Sequence, residues 1–387
     1  PGPIALRYRA DLARLGGGHG DVDYAARFGN DWVFNDQAVL LRPEPLPDDG
    51  RITIEFALPP GVTIATPWKR LPDEGRGPRF AYDALQHDAG AYVALGRLHP
   101  LDEIPLAGGR VRVTTIDVAH RAPDATLRGW VEAAMRSLVK FYGELPGGPN
   151  REVHVVLIPI EGMDQSGVFG TVMKRRAPSV VLMFGADAVS GFDTDWVAIH
   201  ELFHIGNPPI AGRFPWFIEG FTTYYTNVLR GRSRAWSPAA MWAEFAQHIS
   251  EHCQAKYGMP LGEASRKMQG MHSFDRVYWG GACLALRLDV AIRERTRNKQ
   301  SLDDVMRDLR KAKDRLDEEA VIAALDRVAG DHAASQHLRT KKPIPIGELM
   351  AKLGVGKVVG DEAELQDGAP LAWVRRAIME EGTAASR

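Results

Sequence analysis

His200-Glu201-Leu202-Phe203-His204 is an H-E-x-x-H pattern, and Glu219 follows fifteen positions after His204 in a second apolar, aromatic segment. On a helix, residues i and i+4 lie one above the other on the same face, so His200 and His204 can present two imidazoles to one metal ion. Glu201 stands one step round from them. Two histidines and a carboxylate leave a fourth position on Zn²⁺ open for water, as catalytic zinc sites require. The metal lowers the pKa of that water to about 7, and a neighbouring carboxylate can take its proton. These residue types at this spacing imply metal-assisted hydrolysis.

The elements that must position them are legible around the motif. Trp196, Val197, Ile199, Leu202 and Phe203 make the first segment apolar on most sides, which predicts a buried helix. Asp193 or Thr194 suits its N-cap, and Gly206 with Pro208-Pro209 ends it. Pro215 suits the first turn of a second helix, which would offer Glu219 from Trp216-Phe217-Ile218-Glu219-Gly220. A bare H-E-x-x-H also suits a core helix whose histidines are hydrogen-bonded. Stranding His-Glu-His in a dry interior without partners is costly, however, and the added carboxylate favours a metal site.

HELFH followed by WFIEGFTTYY resembles the gluzincin metallopeptidases, whose third ligand is a Glu in a W-x-x-E-G-x-[TA]-x-Y segment. The similarity is greatest to the glycyl aminopeptidase family. Phe274-Asp275-Arg276-Val277-Tyr278-Trp279-Gly280-Gly281-Ala282 resembles that family's segment with a catalytic Tyr before a Gly-Ala helix start. Ser301–Met306 and Lys342–Val355 resemble its C-terminal helical part, and Leu58–Gly61 with Thr66–Trp68 its N-terminal β-domain. The resemblance implies that His200, His204 and Glu219 ligate one zinc per chain and that Glu201 is the general base. It implies that Tyr278 donates a hydrogen bond to the oxyanion. In two places the chain departs from the pattern. The His204–Glu219 connection is short for the family. Ser166-Gly167-Val168-Phe169-Gly170-Thr171 matches the strand that in aminopeptidases of this clan carries a Glu for the substrate's free amine, and it contains no acid.

The 387 residues carry 45% hydrophobic and 25% charged residues with a net charge of −1, the composition of an ordinary globular protein. Near-neutral charge gives no reason to expect nucleic acid or an anionic membrane as partner, and no apolar run reaches membrane-spanning length. The chain starts Pro-Gly-Pro without Met, compatible with export to the cell envelope after loss of a leader or with a cytoplasmic protein. Cys253 and Cys283 have no C-x-x-C spacing and read as two buried thiols, or as one disulfide if exported.

The expected fold is α+β and multidomain: an N-terminal β-rich domain over 1–123, a thermolysin-like catalytic domain over 124–237, a helical domain with Tyr278 over 238–355, and a tail over 356–387 with no assignable structure. Strands are expected at Ala5–Arg9, Ala38–Leu41, Arg51–Phe56 and Arg110–Thr115. A helix is expected over Asp124–Leu145, with further strands at Val153–Ile158 and Val180–Phe184. Gly16–Gly20 reads as a flexible turn, because no Lys-Ser/Thr follows to make a phosphate loop, and Lys174-Arg175-Arg176 as a solvated hairpin tip. His248-Ile249-Ser250-Glu251-His252 has inverted zincin spacing, but its histidines flank an apolar stripe of Trp242, Phe245, Ile249 and Cys253, so it reads as a solvated helix face. Tyr224 and Tyr225 read as packing residues.

The functional reading is a zinc-dependent, aminopeptidase-like peptidase acting on peptide or protein substrates through a metal-activated water. The missing acid in 166–171 keeps an endopeptidase reading open. A non-catalytic peptide-binding protein on a peptidase fold is the reading from another class, and the presence of both Glu201 and Tyr278 weighs against it. Oligomeric state is not legible.

Overall fold

A computed structural model describes all residues except 1–7, 16–21, 42–50, 76, 84–89, 147–150, 175–176, 254–257, 343 and 381–387. The chain forms two compact units, 1–133 with 144–201, and 134–143 with 202–387. The N-terminal region is rich in β-structure and the C-terminal region is helical.

In the first unit the elements run α1 (Leu12–Leu15), β1 (Ala25–Phe28), β2 (Asp31–Asn35), α2 (Asp36–Val39), β3 (Arg51–Glu55), β4 (Thr63–Ala65), β5 (Lys69–Leu71), β6 (Arg79–Asp83) and β7 (Tyr92–Gly96). They continue with β8 (His99–Pro100), β9 (Ile104–Leu106), β10 (Gly109–Thr115), the start of α3 (Asp124–Tyr142), β11 (Arg151–Ile160), β12 (Phe169–Met173), β13 (Ser179–Gly185) and the start of α4 (Val197–Phe203). Three sheets result, ordered β1-β2-β7-β4, β3-β6-β5 and β12-β13-β11-β10-β8, with β9 also pairing β10. In the last of these, β10, β11 and β13 are parallel and β12 lies antiparallel on the outer side of β13. β11 is buried along nearly its whole length, as a central strand covered on both faces must be. Val33, Tyr92 and Ala94 pack with Val156, Ile158 and Val181 to join the first and third sheets, and the Tyr92 amide donates to Ser179 Oγ at 2.8 Å. Trp68, Phe80 and Tyr82 pack with Phe34 and Val93 to join the first and second.

The strands expected near 51–56, 110–115, 153–158 and 180–184 are present as β3, β10, β11 and β13, and the helix over 124–145 as α3. The apolar run Ala38–Leu41 is not a strand. Asn35 accepts the Gln37 amide at 3.1 Å and caps the short helix α2, so local side-chain chemistry overrides a four-residue apolar run. Residues 8 and 9 of the expected first strand lie in no regular element. Ala5–Arg7, the Gly16–Gly20 turn and Arg175-Arg176 fall outside the described residues.

The second unit contains the end of α3, the end of α4, a 3₁₀ turn at His204–Gly206, and α5 (Pro215–Arg232), α6 (Pro238–His252), α7 (Leu261–Met271), α8 (Phe274–Thr296) and α9 (Leu302–Arg310). α10 (Glu318–Ala329), α11 (Ala333–Arg339) and α12 (Ile346–Leu353) follow, then the hairpin β14 (Val355–Val359) and β15 (Glu362–Leu365), and finally α13 (Ala372–Met379). Of the tail over 356–387, the described residues to 380 have definite structure, a two-stranded hairpin and a helix whose Val374 and Ile378 are fully buried. Of the two readings of Cys253 and Cys283, buried thiols or one disulfide, the structure has the disulfide, between the C-cap of α6 and α8, with Cα atoms 5.6 Å apart. No helix among the described residues is long and apolar enough to cross a membrane.

α5 and α8 form the centre of this unit. They touch at Gly220 and Gly281, where a methyl group on Gly220 would come closer than 3.0 Å to Gly281 Cα and one on Gly281 would come closer than that to the Trp216 carbonyl. Only hydrogen at both positions permits so close a crossing. Further along, Tyr224 donates to Asp289 Oδ2 at 2.7 Å, while Asp289 Oδ1 accepts from Arg293 Nε at 3.0 Å and from the Leu302 amide at 2.8 Å. Burial and the adjacent Asp289 push the Tyr224 hydroxyl well above its ordinary pKa, so it remains a donor. Tyr224 and Tyr225 are buried packing residues.

Candidate metal centre

The motif helix α4 begins where the Asp195 carboxylate accepts the Val197 amide at 2.9 Å and the Ala198 amide at 3.3 Å. Asp195, not Asp193 or Thr194, is thus the capping side chain. Trp130 Nε1 also donates to it at 3.0 Å, and Gly167 lies so close that any Cβ there would meet its carboxylate. The N-terminus of the metal helix is consequently held by both a strand-side loop and α3. Trp196 is half exposed (49%), contrary to its reading as core, and its ring meets that of His200 edge-on at 5.6 Å.

His200 and His204 are buried and Glu219 is half-buried, and the three together offer ligand atoms all within 4.8 Å of one another. They are the single group of three or more His, Cys, Asp or Glu donors with such geometry among the described residues. His204 Nε2 lies 3.3 Å from Glu219 Oε2. Two donors about 2.0–2.1 Å from a tetrahedral zinc are roughly 3.3–3.4 Å apart, so this pair already has the spacing of two corners of a zinc site. The donor set also has the His₂Glu chemistry of catalytic zinc rather than the thiolates of a structural one. The residues fit the metal.

Glu219 is placed by the start of α5. Pro215 occupies its first turn, and the Trp216 amide, which has no intrahelical acceptor, donates to Ser265 Oγ at 2.9 Å. Trp216 Nε1 donates to Glu318 Oε1 at 2.6 Å, and Trp216, Phe217 and Phe221 are buried among other aromatic rings.

Asn207 completes the ligand support, and the motif reading did not find it. Its side-chain nitrogen sits 2.9 Å from His204 Nδ1 and 3.1 Å from Thr222 Oγ1, while its buried Oδ1 has no hydrogen-bond partner. An imidazole that gives its Nε2 to a metal carries its proton on Nδ1 and donates from there. Turning the Asn207 amide over places Oδ1 on Nδ1–H, the assignment that His204 as a metal ligand requires. The one sequence signal was an Asn three residues after the second His, ahead of Pro208-Pro209.

Glu201, half-buried on the same helix, lies against β12: a Cβ on Gly170 would collide with its side chain. Gly170 therefore lets the edge strand approach the carboxylate. Tyr278 is half-buried on the second turn of α8, three residues before Gly281, and packs against Ala264, Met268 and Val277. It is not one of the three clustered donors. The inverted pattern does not assemble a site. His248 stacks on Trp279 at 4.5 Å with Nε2 3.8 Å from Glu244, and His252 lies 3.8 Å from Glu251.

Residues 207–278, a span that runs from Asn207 through Glu219 to Tyr278, match the family model of M61 glycyl aminopeptidase. No curated protein matches the chain. Among solved structures it resembles an aminopeptidase N family protein from Idiomarina loihiensis, with TM-score 0.70 and 18% identity over 86% of this chain and 63% of that one. It also resembles an M1 zinc metallopeptidase from Deinococcus radiodurans, with TM-score 0.54 and 14% identity over 82% of this chain and 70% of that one. The chain spans less than two thirds of the length of the Idiomarina protein. The chain thus matches the glycyl aminopeptidases locally in sequence, over 207–278, and shares the fold of the aminopeptidase N family protein over most of its length.

Proposed function

We propose that the protein is a zinc-dependent peptidase, aminopeptidase-like, that hydrolyses peptide bonds. The observation that carries this reading is the convergence of His200, His204 and Glu219, with ligand atoms all within 4.8 Å of one another. Zinc held there supplies Lewis-acid polarisation of the substrate carbonyl and a water acidified to a pKa of about 7. Glu201 takes the proton of that water as it attacks and passes it to the leaving amine. Asn207 keeps the His204 imidazole turned with Nε2 toward Glu219. Tyr278 donates its hydroxyl hydrogen to the substrate oxygen as negative charge develops there. β12, at the outer side of its sheet and antiparallel to β13, offers backbone groups to which an extended peptide can add as a strand.

One observation favours a second reading, an endopeptidase. β12 and the loop before it carry no acid between Ser166 and Met173, so this segment supplies no counter-charge for a free amino terminus. A panel of free and N-blocked peptides, digested with and without a zinc chelator, tests both. Chelator-sensitive cleavage confined to free peptides supports the aminopeptidase, and cleavage of blocked peptides the endopeptidase. Absence of zinc from the purified protein, with no cleavage of either set after zinc addition, would refute the peptidase.

A further inference from the structure

α8, α11 and α12 line a half-open cavity of about 240 Å³. Leu284, Leu288, Ile344 and Ile346 give it an apolar wall. At roughly 30 Å³ for each heavy atom, it accommodates a molecule of about eight. Arg287 enters this space from α8. One of its N–H groups donates to His337 Nδ1 at 2.7 Å, which requires a neutral imidazole, and burial holds His337 well below its ordinary pKa. No carboxylate of the described residues comes within 4.0 Å of the Arg287 guanidinium. Partial burial lowers its own pKa, and the guanidinium sits half-buried at the cavity wall. Arg276, on the same helix, is half-buried, donates to the His252 carbonyl, and adds its positive charge near His337. The other charged groups around the cavity, Glu294, Glu348 and Lys352, are exposed at its rim.

A guanidinium partly removed from water, with no carboxylate beside it, carries a cost that an incoming anion relieves. The fork of donors left on Arg287 matches a carboxylate, and the leucine and isoleucine wall matches an aliphatic body. We infer that this cavity binds a small carboxylate with an apolar chain, its head on Arg287 and its chain along Leu284, Leu288 and Ile346. The site lies apart from the zinc ligands and does not depend on the peptidase reading.

Calorimetric titration of the full chain with sodium hexanoate tests this, with hexylamine and inorganic phosphate as matched probes. Hexanoate should bind, and Arg287→Met should weaken it by about tenfold or more, the loss expected for one charge-assisted contact. Ala291→Phe, one turn along the same helix, fills the cavity with the guanidinium intact and should abolish binding, so the test survives if Arg287→Met misfolds. Failure of hexanoate to bind, equal binding by either variant, or equal binding of hexylamine or phosphate would each overturn the assignment.

Discussion

The crossing of α5 and α8 makes Gly220→Ala the most informative single substitution. Gly220 directly follows Glu219, the proposed metal ligand, and its partner Gly281 lies three residues beyond Tyr278. The new methyl would fall inside 3.0 Å of Gly281 Cα, whereas carbon atoms in contact prefer about 3.5–4.0 Å. The helices must therefore part by at least about half an ångström, at a place where both neighbours are backbone and neither can rotate away. Overpacking of this kind costs about 1–3 kcal/mol. A shift of that size carried to Glu219 would exceed the roughly 0.2 Å within which the ligand distances of the proposed zinc site are held, and a misplacement near 1 Å lowers turnover by about a hundredfold. Urea unfolding gives the stability change, competition with a chromophoric chelator gives zinc affinity, and peptide hydrolysis gives kcat and KM. The expected result is a moderate loss of stability with a disproportionate loss of zinc affinity and kcat. Full retention of zinc affinity and kcat in a variant destabilised by about 2 kcal/mol would refute the claim that this crossing sets the ligand geometry.

Four more outcomes are expected. Glu201→Gln should keep one zinc per chain, measured by elemental analysis, while kcat falls by about 10²–10⁴. Tyr278→Phe should lower kcat by about 10²–10³ with KM nearly constant, and a change confined to KM would contradict its role at the developing oxyanion. Asn207→Ala should weaken zinc by about 10–100-fold, with Asn207→Asp largely restoring it, because only an acceptor facing Nδ1 is required. His154, buried in β11 with Thr114 Oγ1 3.3 Å away, has its pKa lowered to about 3 by burial and, secondarily, by the Arg112 charge. Its folded pKa lies below the unfolded value near 6.5, so the unfolded chain binds the proton first and stability falls with pH below about 6.5, by about 1.4 kcal/mol per unit. His154→Leu should flatten that slope in urea melts between pH 4 and 7, and an unchanged slope would rule out this histidine as its source.

What could be read in the sequence was whatever is local or periodic. α4 and α5 carry their own punctuation in Gly206, the proline pair and Pro215, and β3, β10, β11 and β13 are apolar runs long enough to be unambiguous. The metal donors followed from i,i+4 geometry and a carboxylate in an aromatic helix. Features that depend on neighbours distant in the chain were not legible. Asn207 matters because Thr222 and His204 meet it in space. Gly170, Gly220 and Gly281 matter because of what approaches them, and a glycine does not announce its neighbour. The same holds for Cys253 and Cys283, whose pairing depends on α6 ending beside α8. Ala38–Leu41 misled because four apolar residues weigh less than one capping asparagine. The last residues from 356 were obscure because their hairpin and short helix take their partners from α6, α5 and α8.

The covalent bond between Cys253 and Cys283 spans thirty positions and encircles both α7 and Tyr278. Closing a ring of that size removes about 3–4 kcal/mol of freedom from the unfolded chain. Its scission would release this segment from the helices that flank it, while His200, His204 and Glu219 lie outside the ring. A reducing milieu would thus act on the tyrosine's surroundings directly and, through Ser265 and Gly281 inside the ring, on the helix that carries Glu219, so that turnover and zinc retention would fall together in one and the same molecule.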